Sequence, residues 1–112
     1  MIQVQWTPLQ LTMKNSQTHV FAVCDGHGDD GHSVSQFISS KLSDNIKNGF
    51  KRGFMCIPDV LDYAITKIDT DIDKAPLDSY SSGSTLTGVF INGSVVYPFN
   101  VGDSRSILVK YK

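Results

Sequence analysis

The apolar run VFAVC (residues 20–24) stops at Asp25, and the chain then passes through Gly26, His27 and Gly28 toward a helical pattern. From Gly31 onward Val34, Phe37, Ile38, Leu42 and Ile46 recur at three- and four-residue spacing, with serines and lysines between them. This is the stripe of a one-sided helix, ending near Asn48 and Gly49. The run before Asp25 reads as a strand apolar on both faces, as expected deep in a layered core. A strand that feeds a one-sided helix through a glycine-rich turn must pack against that helix, which leaves the turn at the rim of the sheet.

The remaining segments fill out the same layout. MIQVQWTPLQLTM places Ile2, Val4 and Trp6 on one side, breaks at Pro8 and resumes with Leu9, Leu11 and Met13, so two short strands or an extended arm would fit. A second helix opens at Pro58, whose fixed φ suits a first helical position, and carries Leu61, Ala64, Ile65, Ile68 and Ile72 on its apolar stripe. The segment 75–83 is a polar loop. STLTGVFI and SVVYPFNV flank Asn92-Gly93, the strongest hairpin signal in the chain, and GDS then turns the chain into a last strand, RSILVKY. Pro98 inside a strand calls for an edge position or a bulge. The fold class is α+β in one unit, with no internal repeat.

Composition excludes several functions. With 112 residues, 40% hydrophobic content and a net charge of −1, the chain is neither a disordered tail nor a polycation. Its lysines and arginines are scattered and its pI is near 6.2, so no concentrated positive field awaits a nucleic acid backbone. No apolar run is long enough to span a bilayer, and no signal segment opens the sequence. Cys24 and Cys56 show no metal-ligand spacing and are read as reduced thiols, which suits an intracellular protein. All eleven acidic residues are Asp. A site needing glutamate must therefore borrow it from elsewhere.

A carboxylate at the end of a buried strand needs a cation or several donors, because burying it alone is costly. Gly26 and Gly28 would let the backbone pass close to such a partner and offer it a carbonyl, and hard cations such as Mg²⁺ or Mn²⁺ accept such oxygens. His27 between them could donate or take a proton. The plainer alternative is that Asp25 or Asp30 caps the helix from Gly31 and the glycines merely turn the chain. Spacing does not choose between them.

FAVCDGHGDDGHSVS resembles the Phe-x-Val-x-Asp-Gly-His-Gly signature of the metal-dependent protein serine/threonine phosphatases, the PP2C or PPM family. Its continuation Gly31-His32-x-Val34-Ser35 is similar to a variant common in plant and protist members. Downstream, SGSTLTGVFINGSVVYPFNVGDSRSILV resembles the same family's Ser-Gly-Ser-Thr strand, hairpin and Val-Gly-Asp-Ser-Arg turn, in the same order. The resemblance implies that residues 1–112 are a partial domain, part of a β-sandwich flanked by helices in α-β-β-α layers. It implies two Mg²⁺ or Mn²⁺ ions per complete site, which lower the pKa of a shared water for in-line attack on phosphorus, and phosphoprotein substrates. Asp25 would bridge both ions and the Gly26 carbonyl would bind one. His27 would be the general acid for the leaving serine or threonine oxygen, and Asp103 would touch a third, weaker metal. As a plain turn residue, Asp103 would instead bond its own backbone.

The chain departs from the family in known places. Residues 1–20 contain neither the phosphate-binding Arg nor the Glu-Asp pair found upstream of the signature, and the family's two later metal-binding aspartates lie beyond Lys112. The expectation for these residues is one weakly held ion, no organised pair, and one sheet face without the cover that the rest of the sandwich provides. A noncatalytic PP2C-like binding module is the alternative. Rival sites fail: Asp69, Asp71 and Asp73 lack the glycine and glutamate of a calcium loop and read as a solvated helix end. Cys24 and Cys56 have Asp30 and Asp62 six residues on, where a thiolate phosphatase needs Arg. His19 reads as a strand-start surface residue, and Ser84 and Thr85 as plain strand residues without the strand-to-helix elbow of a serine hydrolase.

Overall fold

The computed structural model describes the backbone of residues 3–10 and the whole of residues 18–77 and 81–109. Its elements are β1 (Gln3–Gln10), β2 (Thr18–His27), α1 (Gly31–Lys51), α2 (Ile57–Lys74), β3 (Gly83–Ser84), β4 (Leu86–Asn92) and β5 (Val95–Val101). The strands form one antiparallel sheet in the order β1-β2-β4-β5, with the two-residue β3 pairing the end of β2. The architecture is α+β: a sheet with both helices on one of its faces, compatible with part of the expected sandwich.

The helices cover the sheet because alternation on the strands and the stripes on the helices meet. Val20, Ala22 and Cys24 of β2, Leu86 and Phe90 of β4, and Phe99 of β5 pack with Val34, Ile38, Leu42 and Ile46 of α1 and Val60, Leu61, Ala64 and Ile68 of α2 in one buried cluster. Phe90, Ile46, Val20 and Val60 have no exposed surface. One buried polar side chain ties the helices together: Asn45 Nδ2 donates to the Ala64 carbonyl at 3.2 Å, which satisfies an amide that would otherwise be costly to bury. Among the described residues no helix is long and apolar enough to cross a membrane.

Several sequence expectations change. Pro8 does not break the first strand: β1 is continuous and lies at a sheet edge, where a residue without an N–H costs no ladder bond. Ile2, Leu11 and Met13 lie outside the described residues. The first helix does not end at Gly49 but runs on to Lys51; a Cβ on Gly49 would stand 3.0 Å from Val60 Cγ1, so this glycine lets the helices approach each other. The stop is Gly53, at φ +84°, whose N–H bonds Phe50 O at 3.0 Å. The hairpin loop is Gly93–Ser94, one residue later than Asn92-Gly93, because Asn92 pairs Val95 and only Gly93 supplies a positive φ. Finally, β2 is not buried on both faces: Phe21 is 36% exposed, and Val23 and Asp25 are half-buried.

Pro98 occupies the edge strand β5, opposite Val89, in an unbroken register without a bulge. The last expected strand is absent from residues 104–109. There the hydroxyls of Ser104 and Ser106 bond those of Thr85 and Thr87 at 2.6 and 2.9 Å, which draws the segment over the open face of the sheet instead of along the β5 edge.

Candidate functional site

The open face and the end of β2 meet at Asp25. The register between β2 and the β3–β4 segment is constant on both sides of it, with Val23 opposite Thr87 and Gly26 opposite Ser84. At the rung between, the ladder changes character. Thr85 N–H donates to the Asp25 carbonyl at 3.0 Å, but the Asp25 N–H donates to the Thr85 hydroxyl at 3.1 Å, while the Thr85 carbonyl accepts from Ser84 Oγ at 2.8 Å. A side chain has replaced a backbone acceptor. Thr85 Oγ1 also bonds Ser104 Oγ, and a Cβ on Gly102 would come within 2.8 Å of the Thr85 methyl. Three segments far apart in sequence thus converge on Asp25.

Asp25 Oδ1 is buried and has no hydrogen-bond partner among the described residues. An unpartnered carboxylate oxygen is costly to bury, and it is the donor a hard cation takes. The fit extends to one ligand. Among the described residues no group of three or more His, Cys or Asp side chains could hold a metal ion, so the described residues supply no donor set for a pair.

The neighbouring glycines have packing reasons. A Cβ on Gly26 would collide with the Gly31 carbonyl, so the start of α1 lies directly against the end of β2. Gly28, at φ +86°, faces Ser82, whose hydroxyl accepts the Asp30 N–H at 2.8 Å. Gly26 is buried between strand and helix. The capping alternative fails in its simple form: Asp30 stands at the N-cap of α1 without a side-chain cap bond, and Asp25 belongs to the strand. His27 is the last residue of β2 and is exposed, with its ring against Gly83; a Cβ there would meet Nε2 at 2.9 Å. Asp103 is exposed on the turn after β5, beside Gly102 at φ +97°.

A groove of about 570 Å³ runs along the open face, lined by Phe21, Val23, Asp25, Val89, Arg105 and Ile107 among others. A second cavity of about 600 Å³ lies beside it, lined by Asp103, Asn100, Pro98 and, in common with the first, Thr87, Ser104, Arg105 and Ser106. The structure therefore brings Asp25 and the turn bearing Asp103 into adjoining hollows, and His27 lines neither. From sequence, Thr85 reads as a plain strand residue, and Ser104 and Arg105 only as parts of a turn motif. Their motifs were visible, but hydroxyl pairing across nineteen residues leaves no periodic trace.

The cysteines take no part. Burial pushes the Cys24 thiol up from 9.0 to about 11, with the Ser84 side chain opposing part of the rise, so it stays protonated and poorly nucleophilic. Cys56 is exposed and donates to Asp59 Oδ2 at 3.3 Å; that bond, then the charge of Asp59, raise its pKa as well. Both are free thiols. Asp69, Asp71 and Asp73 lie in the last turns of α2, with Asp71 paired to Lys67 at 3.4 Å.

Comparison with known proteins matches residues 4–112 to the family model described as protein phosphatase 2C. The chain is 34% identical over 99 residues to probable protein phosphatase 2C 41 of Oryza sativa subsp. japonica, covering 87% of this chain and 34% of that protein. It is 32% identical over 99 residues to the integrin-linked kinase-associated serine/threonine phosphatase 2C of Mus musculus, covering 81% of this chain and 25% of that one. Probable protein phosphatase 2C 67 of Arabidopsis thaliana is 32% identical over 114 residues, covering 95% and 30%. The chain spans about a quarter to a third of the length of these relatives. No solved structure matches it.

Proposed function

The chain belongs to the protein phosphatase 2C family, and from that premise we propose that it carries one part of a metal-dependent protein serine/threonine phosphatase site acting on phosphoproteins. The observation that carries the reading is the buried Asp25 Oδ1 without a partner, at the end of the strand that bears the family signature. Asp25 would hold Mg²⁺ or Mn²⁺, the Gly26 carbonyl would serve as a further oxygen donor, and Asp103 would contribute to a weaker position. When bound, a metal pair supplies a water acidic enough to attack phosphorus at neutral pH. His27, exposed at the strand end, would give a proton to the departing serine or threonine oxygen.

A second reading is a noncatalytic domain of the same family that binds a partner. It is favoured by the lack of a three-residue metal cluster among the described residues. One experiment separates the two. In the full-length phosphatase domain, His27→Ala is expected to slow hydrolysis of a phosphoserine peptide by about 10²–10⁴-fold, yet an aryl phosphate, whose leaving group needs no proton, far less. Equal losses on both substrates would argue against the acid role, and a full-length domain inactive on both with Mn²⁺ present would favour the binding module.

A further inference from the structure

We propose that Thr85 is a positioning residue for Asp25, holding the carboxylate in the orientation that accepts a divalent cation. The inference rests on the reading of Asp25 as a metal ligand. Its basis is the altered rung at Asp25 between β2 and the β3–β4 segment, where a threonine hydroxyl stands in for a carbonyl as acceptor of the Asp25 N–H. A regular backbone rung would need no particular side chain opposite Asp25. Here the backbone of the ligand residue is held by a side chain, and that side chain is held in turn. The hydroxyl accepts from the Asp25 N–H and pairs with the Ser104 hydroxyl at 2.6 Å, and Gly102 closes against its methyl. Thr85 thereby links the strand bearing Asp25 to the turn bearing Asp103. Groups that orient a ligand without touching the metal change its affinity by about 10–100-fold when removed.

Thr87 provides an internal control. Thr85 and Thr87 are each 7% exposed, and each bonds one serine hydroxyl of the following segment, at 2.6 and 2.9 Å. Of the two hydroxyls, it is that of Thr85 that accepts the Asp25 N–H. Valine at either position keeps the shape and removes one hydroxyl, so the two variants share their packing cost and differ in the contact at issue.

The test is Mn²⁺ titration of the 112-residue chain, followed by paramagnetic broadening of amide signals around residue 25, with hydrogen exchange of the Asp25 amide in the metal-free state. Thr85→Val is expected to raise the Mn²⁺ midpoint about tenfold and to expose the Asp25 amide to exchange, with Thr85→Ser restoring both. Thr87→Val should leave the midpoint within about twofold of the parent, as expected of a residue outside the ligand shell. If Thr85→Val fails to fold, Ser104→Ala carries the test, with an expected loss of about threefold. Equal midpoints for Thr85→Val and Thr87→Val, no rescue by serine, or no change in Ser104→Ala when Thr85→Val is unfolded would overturn the proposal while leaving Asp25 a ligand. Absence of Mn²⁺ broadening in the parent, or undiminished binding in Asp25→Asn, would remove the metal reading and this inference together.

Discussion

Strand β2 sends alternate residues into two environments. Toward the helices, Val20, Ala22 and Cys24 are at most 4% exposed and join a single apolar cluster; on the other side Phe21 is 36% exposed, and Val23 and Asp25 border a groove. The covered face is closed by side chains of α1, α2, β4 and β5, and its buried polar side chains Thr18, Ser35 and Asn45 are each hydrogen-bonded. The open face carries hydroxyl pairs, an unpartnered carboxylate oxygen and the cation Arg105. Stability and chemistry are thus divided between the two sides of one sheet. A polar group that would be an error on the covered face can be a ligand on the open one.

The sharpest way to break this contrast is to remove the same side chain from each face. Phe90, fully buried opposite Val20, and Phe21, opposite Val89, sit on adjacent strands with their side chains on opposite faces. Phe90→Ala is expected to cost about 3–5 kcal/mol in denaturant unfolding, the range for emptying a packed aromatic site. Phe21→Ala should cost about 0.5 kcal/mol, as for a surface substitution. Comparable losses would mean that the open face is as tightly packed as the covered one.

How much of this was legible beforehand follows the same division. The helices, hairpin and covered core came from periodicity, because a 3.6-residue stripe and a two-residue alternation are imprinted by burial itself. Pro8 and Gly49 were misread because their tolerance depends on an edge position and on a facing helix, neither of which is local. The expected last strand failed because Ser104 and Ser106 found hydroxyl partners on the β3–β4 segment. At the site, Asp25 and His27 were picked out by a strand ending in a glycine turn and by the family signature. Thr85 was dismissed as a strand residue, since nothing in one dimension tells a hydroxyl that faces solvent from one that replaces a carbonyl.

A smaller effect sharpens the description of the covered face. The Cys24 thiol, raised to about 11 by burial, remains protonated in the folded chain after the unfolded chain's thiol has ionised near 9.0. A raised folded-state pKa contributes stability that is fully present below pH 9 and is lost as pH rises toward 11. Denaturant melts at pH 8 and 10.5 should therefore show a steeper fall for the parent than for Cys24→Ala, in which the other titrating groups are unchanged. Parallel falls would mean that the thiol is not held in an apolar site.

The account depends most on Asp25 being a ligand on the open face and not a strut of the fold. The most direct measurement is Asp25→Asn in the 112-residue chain, with metal-free stability by denaturant unfolding and Mn²⁺ binding by paramagnetic broadening taken on the same samples. Because Asp25 Oδ1 is buried without a partner, the amide should leave metal-free stability unchanged or higher, while the Mn²⁺ broadening around residue 25 disappears. A loss of about 2 kcal/mol or more with Mn²⁺ binding intact would contradict it, since that is what removal of a structural hydrogen-bonding group would give.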